Sequence, residues 1–238
     1  MALAPRQLGL VDYASTFAAM QDFTAARNAG TPDALWICEH PPVYTQGLAG
    51  KADHLLNPGN IAVVQSDRGG QVTYHGPGHL VMYPIVALRE NGISLRAHIR
   101  ALEASLIAAC AAFGIAAERR DGAPGCWVGE RKIGAVGVRV ERGVSWHGLA
   151  LNVGRDLAPF DLINPCGHAG VVSTSIALEQ DWSATARGER DAIGATAPDL
   201  QRVADLVARA YEKELAGYDT GTNVHVNSAV PATAGGSR

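Results

Sequence analysis

The chain has 238 residues, of which 47% are hydrophobic and 18% charged, and its formal net charge is −3 at pH 7. This length allows one domain with a sizeable core, and the composition is that of an ordinary globular protein. The acidic balance argues against a general nucleic-acid binder, and no apolar run approaches the roughly 20 residues that a membrane span needs. Because it has neither a secretory pattern nor CxxC pairs, the sequence predicts a cytoplasmic protein.

The first 114 residues predict short strands between two helices. The first helix is expected over residues 13–29, before Gly30; the second has Ser94 as its N-cap and ends at Gly114. A continuous apolar run predicts a buried strand at residues 34–38, and strands are also expected at 61–65 and 79–88. The second helix carries an apolar stripe at three-, four- and seven-residue steps, formed by Leu95, Ile99, Leu102, Leu106 and Phe113.

A glycine-rich stretch, RGGQVTYHGPG, occupies residues 68–78 between two of these strands. Its four glycines indicate positive φ angles, or a backbone that packs closely against a neighbour. One interpretation is a hairpin loop that needs turn residues. The other is a pocket wall whose amides meet a ligand, with Arg68 and His75 as its polar side chains. Composition alone favours neither.

Residues 132–140 and 144–153 predict a β-hairpin with a three-residue loop at 141–143. This pairing places Lys132 near Asn152, and Gly137 near His147. Strand alternation places Lys132 on one face with four small or apolar residues, namely Gly134, Val136, Gly148 and Ala150. Because glycine weakens a strand, its recurrence indicates either a bound molecule or a closely packed helix against this sheet.

The last third of the chain predicts an irregular segment at residues 156–168, a strand at 171–176 and a polar surface loop at 181–195. A final helix is expected from Thr196, its N-cap, to Gly217, with a buried stripe of Leu200, Val203, Val207 and Tyr211. Residues 218–238 show no periodicity and predict a disordered tail. The expected organisation is one domain over residues 1–217, followed by this tail.

Two residues suggest chemistry. Cys166 lies in a turn between Pro165 and Gly167, and Lys132 is one of only three lysines beside 17 arginines. A cysteine nucleophile needs a neighbouring cation or base, and the candidates are Lys132, His75, His147 and His168. A zinc site formed by Cys166, His168 and Cys126 is a second interpretation. A loop cysteine without a role is a third.

Four motifs together resemble the octanoyltransferase family of lipoate synthesis, the lipoyl(octanoyl) transferases. They are RGGQVTYHGPG at residues 68–78, KIGAVG at 132–137, HGLALN at 147–152 and NPCG at 164–167. The resemblance covers roughly residues 10–217. It implies an α/β fold of the α+β type, in which a mixed β-sheet is flanked by helices as in the catalytic domains of biotin and lipoate protein ligases.

The resemblance also implies a reaction and its residues. An octanoyl group would pass from acyl carrier protein to a lysine of a lipoyl domain, in a 2-oxoacid dehydrogenase complex or in the glycine cleavage H protein. Cys166 would form the acyl thioester, and Lys132 would activate it and move protons. His147 and Asn152 would have supporting roles, and His75 and His147 would orient Lys132 or line the acyl slot. The implied acyl pocket consists of Arg68, Gly69, Gly70, Gln71, Val72, Thr73, Tyr74, His75, Ala135, Val136, Gly137, Gly148, Leu149 and Ala150.

We expect this reaction to need no ATP and no metal, and to involve no nucleic acid and no membrane. The main alternative is an ATP-dependent lipoate or biotin protein ligase, which would share the fold but would not depend on a cysteine in an Asn-Pro-Cys-Gly turn. A non-catalytic acyl-binding module would bind the acyl group without a covalent adduct. A cysteine hydrolase would release free octanoate.

Overall fold

The computed structural model describes residues 3–165, 170–189, 194 and 196–219. Its strands are β1 (Ala4–Leu10), β2 (Ala34–Glu39), β3 (Val43–Gln46), β4 (Ala62–Gln65), β5 (Val72–His75), β6 (His79–Ile85), β7 (Gly125–Val128), β8 (Arg131–Glu141) and β9 (Val144–Asn152). Its helices are α1 (Tyr13–Ala26), α2 (Leu95–Ala111), α3 (Ile176–Arg187) and α4 (Leu200–Asp219). None of the described helices has the length and apolar character needed to cross a membrane.

The strands form a large sheet and a small one. The large sheet has six strands in the order β1-β2-β6-β9-β8-β7, and the small sheet has three in the order β4-β3-β5. Each sheet contains one parallel pair, β1 with β2 and β3 with β4, while the remaining pairs are antiparallel. The prediction of a mixed sheet flanked by helices is therefore confirmed.

Helices cover both faces of the large sheet. On one face, α2 and α4 bury Leu102, Leu106 and Val207 against Leu149 and Leu151 of β9. On the other face, α1 buries Met20 in a cluster with Trp36, Trp146 and Ala150. Because neighbouring residues of β9 enter opposite clusters, this strand alternates as a strand buried on both faces must.

The helix ends follow their capping chemistry. Ser94 caps α2 as predicted, with its hydroxyl accepting the amide of Ala97. The last helix begins later than predicted: Asp199, not Thr196, accepts the amide of Arg202, and the helix continues through Gly217 to Asp219. The first helix ends at Ala26 rather than at residue 29. Residues 218 and 219, predicted to begin a disordered tail, are instead the last residues of α4. The rest of the tail prediction, residues 220–238, lies outside the described residues.

The predicted hairpin is present, but its register differs by one residue. Gly137 pairs with Gly148, and Val138 pairs with His147. The turn contains two residues rather than three, because Arg142 and Gly143 both have positive φ angles, 52° and 88°. Two successive positive φ values match the twist of an antiparallel pair and close it tightly.

The segment after residue 170 was predicted incorrectly. In place of a strand at 171–176, only Ser173 forms an isolated parallel bridge, and its partner is Lys132. In place of a loop from residue 181, helix α3 begins at Ile176, with the Ser175 hydroxyl accepting the amide of Leu178. Ser175 is thus the N-cap of a helix that the sequence pattern does not predict.

Candidate active site

A cavity of about 330 Å³ lies where the two sheets meet. It is at the lower end of the size range of small-molecule sites, roughly 300–1,000 Å³. Every implied pocket residue except Tyr74 lines it, together with Lys132 and His147. Tyr74 instead lines a small neighbouring cleft with Lys132, Asn152 and Pro165.

Several cavity residues were not predicted from the sequence. Leu95 and Ile99 were assigned to the core-facing stripe of α2, but Leu95 is 45% exposed and both line the cavity. A helical stripe looks the same in sequence whether it faces a core or a cavity. The remaining unpredicted lining residues are Tyr13, Val81, Tyr83, Gly122, Ala123, Pro124 and Val138.

Lys132 places a buried amine at the cavity wall. Its side chain is 6% exposed, and its Nζ donates to the carbonyl of Pro124 at 3.0 Å. The same nitrogen lies 5.2 Å from the centre of the Trp127 ring, a cation–π distance. The amine of Lys132 is therefore held by Pro124, in the turn before β7, and by Trp127 of β7.

A β-bulge decides which way Lys132 faces. Lys132 pairs with Trp127, but Gly134 pairs with Cys126, so Ile133 is an extra residue in β8. Ile133 belongs to the cluster beneath α2, and a Cβ on Gly134 would lie 3.1 Å from Leu106 of that helix. The bulge thus turns Gly134 towards α2, where alternation alone places it on the face of Lys132, although both residues border the small neighbouring cleft. Lys132 lines the cavity together with the other three residues of the predicted face, Val136, Gly148 and Ala150.

The backbone of Lys132 is tied to the segment that follows Cys166. Its amide donates to the Val172 carbonyl, and its carbonyl accepts the Thr174 amide, both at 2.9 Å. On the other side of the cysteine, the amide of Asn164 donates to the His54 carbonyl at 2.8 Å. Cys166 and His168 themselves lie outside the described residues, as do the nucleophile and zinc interpretations that depend on them. No group of three metal-binding side chains is found among the residues that the structure describes.

The Arg68–Gly70 loop forms one wall of the cavity and is held by Arg68 itself. The Arg68 guanidinium donates to the carbonyls of Thr45, Gln71 and Gly69 at 2.6, 2.7 and 2.9 Å. The amide of Gly69 donates to Val138 of β8 at 2.9 Å. Arg68 therefore shapes the loop, and the loop is joined directly to the large sheet.

Close backbone packing explains two of the glycines around this loop. A Cβ on Gly47 would lie 2.4 Å from the Gly70 carbonyl oxygen, and a Cβ on Gly137 would lie 2.9 Å from that of Gly69. The hairpin interpretation of residues 68–78 is wrong, because the two strands that it would join, β4 and β6, lie in different sheets. Part of the stretch is itself a strand, β5. At Gly137, the close neighbour is therefore the 68–70 loop of this protein, and neither a bound molecule nor a helix.

His75 and His147 line the cavity as uncharged side chains. Burial lowers the pKa of His75 well below its ordinary value, and burial also lowers that of His147, although Asp67 opposes the shift. His147 contacts Asp67 through Nε2 at 2.8 Å, and His75 stacks on Tyr13 with ring centres 6.0 Å apart. The Nδ1 atoms of both rings have no hydrogen-bond partner among the described residues.

Asn152 lies next to the Lys132 segment rather than opposite Lys132 in the hairpin. It pairs with His79 of β6, and its Nδ2 donates to the Thr174 carbonyl at 2.9 Å. The arrangement as a whole presents one buried amine, an apolar space bounded by small residues, and neutral histidines. Such a site can hold an acyl chain beside a group that exchanges protons.

Comparisons with known proteins place the chain in a family. A model of the lipoyl protein ligase A/B catalytic domain matches residues 12–186. The octanoyltransferase of Polaromonas naphthalenivorans is 49% identical over 211 residues, covering 78% of this chain and 94% of the relative. That of Dechloromonas aromatica is 57% identical over 166 residues, covering 70% and 81%.

Solved structures share the fold at low sequence identity. Lipoate-protein ligase A bound with ATP has a TM-score of 0.64 at 14% identity, covering 90% of this chain and 85% of that one. The biotin protein ligase of Aquifex aeolicus has a TM-score of 0.52 at 10% identity, covering 92% and 70%. The resemblance found in the sequence motifs is confirmed: the chain belongs to the lipoyl protein ligase A/B catalytic-domain family and, within it, to the octanoyltransferases, which are acyltransferases.

Proposed function

We propose that this protein transfers an octanoyl group from acyl carrier protein to the lysine of a lipoyl domain, through a thioester on Cys166. Its similarity to octanoyltransferases supports octanoyl transfer in protein lipoylation. The observation that carries the proposal is the buried amine of Lys132 at the wall of an apolar cavity, on a backbone paired to residues 172–174 shortly after Cys166. The proposed acceptors are the lipoyl domains of 2-oxoacid dehydrogenases and the glycine cleavage H protein.

In the first step, the Cys166 thiolate attacks the carbonyl carbon of the donor thioester. The ammonium of Lys132 stabilises that thiolate by its opposite charge. A new C–S bond forms at Cys166, the bond to the carrier sulfur breaks, and the leaving thiolate takes a proton from Lys132. Because the acyl-enzyme is itself a thioester, the step conserves the energy of the donor and needs no ATP.

The oxyanion formed in each step needs a hydrogen-bond donor, and one well-placed donor is worth about 3–4 kcal/mol. The amide of Gly69 already donates to Val138. The proposed donors are therefore the amide of Gly70, which lines the cavity, and amides close to Cys166.

In the second step, the lipoyl lysine attacks the acyl-enzyme. That amine is protonated in water and must lose a proton first, and neutral Lys132 is the proposed acceptor. As the amide bond forms, the attacking nitrogen releases its second proton to water, the C–S bond breaks and the Cys166 thiolate leaves. Burial of seven acyl carbons at about 0.8 kcal/mol each contributes about 5–6 kcal/mol to holding the chain in the cavity.

The test is intact mass spectrometry after mixing the protein with octanoyl carrier protein, with a chelator and without nucleotide. We expect an octanoyl adduct on the wild type that disappears when a lipoyl domain is added, and no adduct or transfer with Cys166→Ala. Turnover by folded Cys166→Ala would overturn the proposal. A strict requirement for ATP would favour the ligase alternative, and release of octanoate in place of amide would favour a hydrolase.

A further inference from the structure

One buried carboxylate contacts both of the segments that pair at Lys132, namely strand β8 and residues 172–174. Glu179, in the first turn of α3, is 5% exposed. It accepts two hydrogen bonds from Arg131, each 2.9 Å long, and one from the Thr174 hydroxyl at 2.7 Å. Arg131 directly precedes Lys132, and Thr174 donates its amide to the carbonyl of Lys132.

These contacts form a clamp that consists of Arg131, Thr174 and Glu179. Asn152 adds to it through its hydrogen bond to the Thr174 carbonyl. The described contacts of the Lys132 amine are with Pro124 and Trp127 and not with the clamp residues, so the clamp acts on that amine through the backbone. A shift of about 1 Å in a catalytic group can cost about 100-fold in rate, so a clamp on the backbone of Lys132 can have a large effect on the reaction.

By itself, a buried carboxylate contributes little to the free energy of unfolding. Its desolvation offsets much of the attraction to its partner, and a hydrophobic replacement of the same shape is often at least as stable. The chain also contains an exposed bidentate pair between Arg187 and Glu189, with hydrogen bonds of 2.9 and 2.8 Å. Glu179 thus differs from Glu189 in its burial and in its additional partner, Thr174.

We propose that Glu179 is a positioning residue for the acyl transfer, because it holds the Lys132 backbone against residues 172–174 and so fixes the Lys132 amine relative to the chain that leads from Cys166. The inference rests on the proposed function. Loss of the clamp is expected to move the amine away from the thiol. The thiol then loses its stabilising cation and reacts as an ordinary cysteine, with a midpoint near 8.5.

The test measures the rate at which iodoacetamide alkylates Cys166 as a function of pH, beside acyl transfer. Cys166→Ala supplies the background, since the other three cysteines are buried. We expect Glu179→Gln and Thr174→Val to raise the alkylation midpoint towards that of a free thiol and to lower kcat about 10- to 100-fold with little change in KM. Thr174→Ser, which keeps the hydroxyl, and Glu189→Gln, which removes the exposed pair, should behave as wild type.

The outcomes separate this proposal from the function on which it rests. An alkylation midpoint that is low in the wild type and unchanged in folded Glu179→Gln and Thr174→Val overturns the clamp alone. A wild-type midpoint near 8.5, together with turnover by Cys166→Ala, overturns the proposed function and the clamp with it. If Glu179→Gln does not fold, the comparison of Thr174→Val with Thr174→Ser decides.

Discussion

At the scale of single residues, the amine of Lys132 is confined by backbone as much as by side chains. Its Nζ donates to the Pro124 carbonyl, and the Trp127 ring lies beside it. Gly125 has a φ of 135°, and a Cβ there would lie 2.9 Å from Lys132 Cε. The glycine therefore provides both an unusual backbone angle and the space that the lysine occupies.

The role proposed for this amine makes arginine a poor substitute. Lys132→Arg keeps the positive charge, but guanidinium does not release its proton in proteins. We expect the acyl-enzyme to form more slowly, because the leaving carrier thiolate loses its proton donor. Its transfer to the lipoyl lysine should slow by about 100-fold or more, as when a general base is lost. Single-turnover mass spectrometry separates the two steps.

The alternative outcome for Lys132→Arg is equally informative. Wild-type rates in both steps would remove the proton-transfer role from Lys132, while leaving Cys166 as the nucleophile. A slowed first step with a normal second step would remove the base role, while keeping Lys132 as the proton donor to the carrier thiolate.

At the scale of elements, the 68–70 loop packs against β8 at Gly137, where the strand has no side chain. In Gly137→Ala, the new Cβ would lie 2.9 Å from the Gly69 carbonyl oxygen and 3.5 Å from Arg68 Cδ. The Gly69 carbonyl is backbone, and the Arg68 side chain beside it is fixed by its own hydrogen bonds. Little room remains to relax, so we expect the loop to move and the cavity wall with it. The predicted result is a KM for the octanoyl donor raised at least about 10-fold, measured in steady-state transfer assays.

Gly30→Ala is the matched control for this substitution. Gly30 also lacks a positive φ, and the nearest atom to an added Cβ there is 3.6 Å away, an ordinary contact. Equal effects of the two substitutions would show that the loop does not depend on Gly137.

Helix α2 contributes a wall that is expected to influence acyl-chain length. Ile99→Ala removes three carbons from the cavity lining, and each additional buried methylene of a longer chain contributes about 0.8 kcal/mol, or about fourfold in binding. We therefore expect the preference for decanoyl over octanoyl donors to rise severalfold, measured as the ratio of kcat/KM values. Ile107→Ala on the same helix packs against the core and should leave this ratio unchanged.

The motifs predicted the neighbourhood of the site, whereas the details depend on tertiary contacts. The grouping of residues 68–75, 135–137 and 148–150 around Lys132 follows from the family resemblance. The bulge at Ile133 does not follow from the sequence pattern, because β7 imposes it from outside the hairpin. Ile99 shows the same limit, since a helical period gives no information about what the stripe faces.

At the scale of the whole molecule, buried neutral histidines connect separate elements of the fold. His40 contacts the Tyr83 hydroxyl at 2.8 Å, and His98 of α2 contacts the Tyr211 hydroxyl of α4 at 3.0 Å. Burial lowers the pKa of five histidines: His40, His75, His79, His98 and His147. Neutral side chains suit a cavity for an apolar chain, but they make the fold sensitive to acid.

The direction of that sensitivity follows from the two states of His98. Burial lowers its pKa to about 4 in the folded protein, against 6.5 in the unfolded chain. Below pH 6.5 the unfolded state binds a proton that the folded state excludes, so the free energy of unfolding falls as the pH drops towards 4. Over this window, His98 alone is expected to cost about 3 kcal/mol.

His98→Gln tests this contribution, because glutamine can still accept a hydrogen bond from Tyr211 and cannot ionise. We expect the variant to be less stable than wild type at pH 7.5, since its shape fits the α2–α4 contact less well. Between pH 6.5 and 4 its unfolding free energy should decline less steeply, by up to about 1.4 kcal/mol per pH unit. Urea unfolding at pH 7.5, 6 and 5 measures both effects, and parallel curves for the two proteins would show that His98 does not titrate on unfolding.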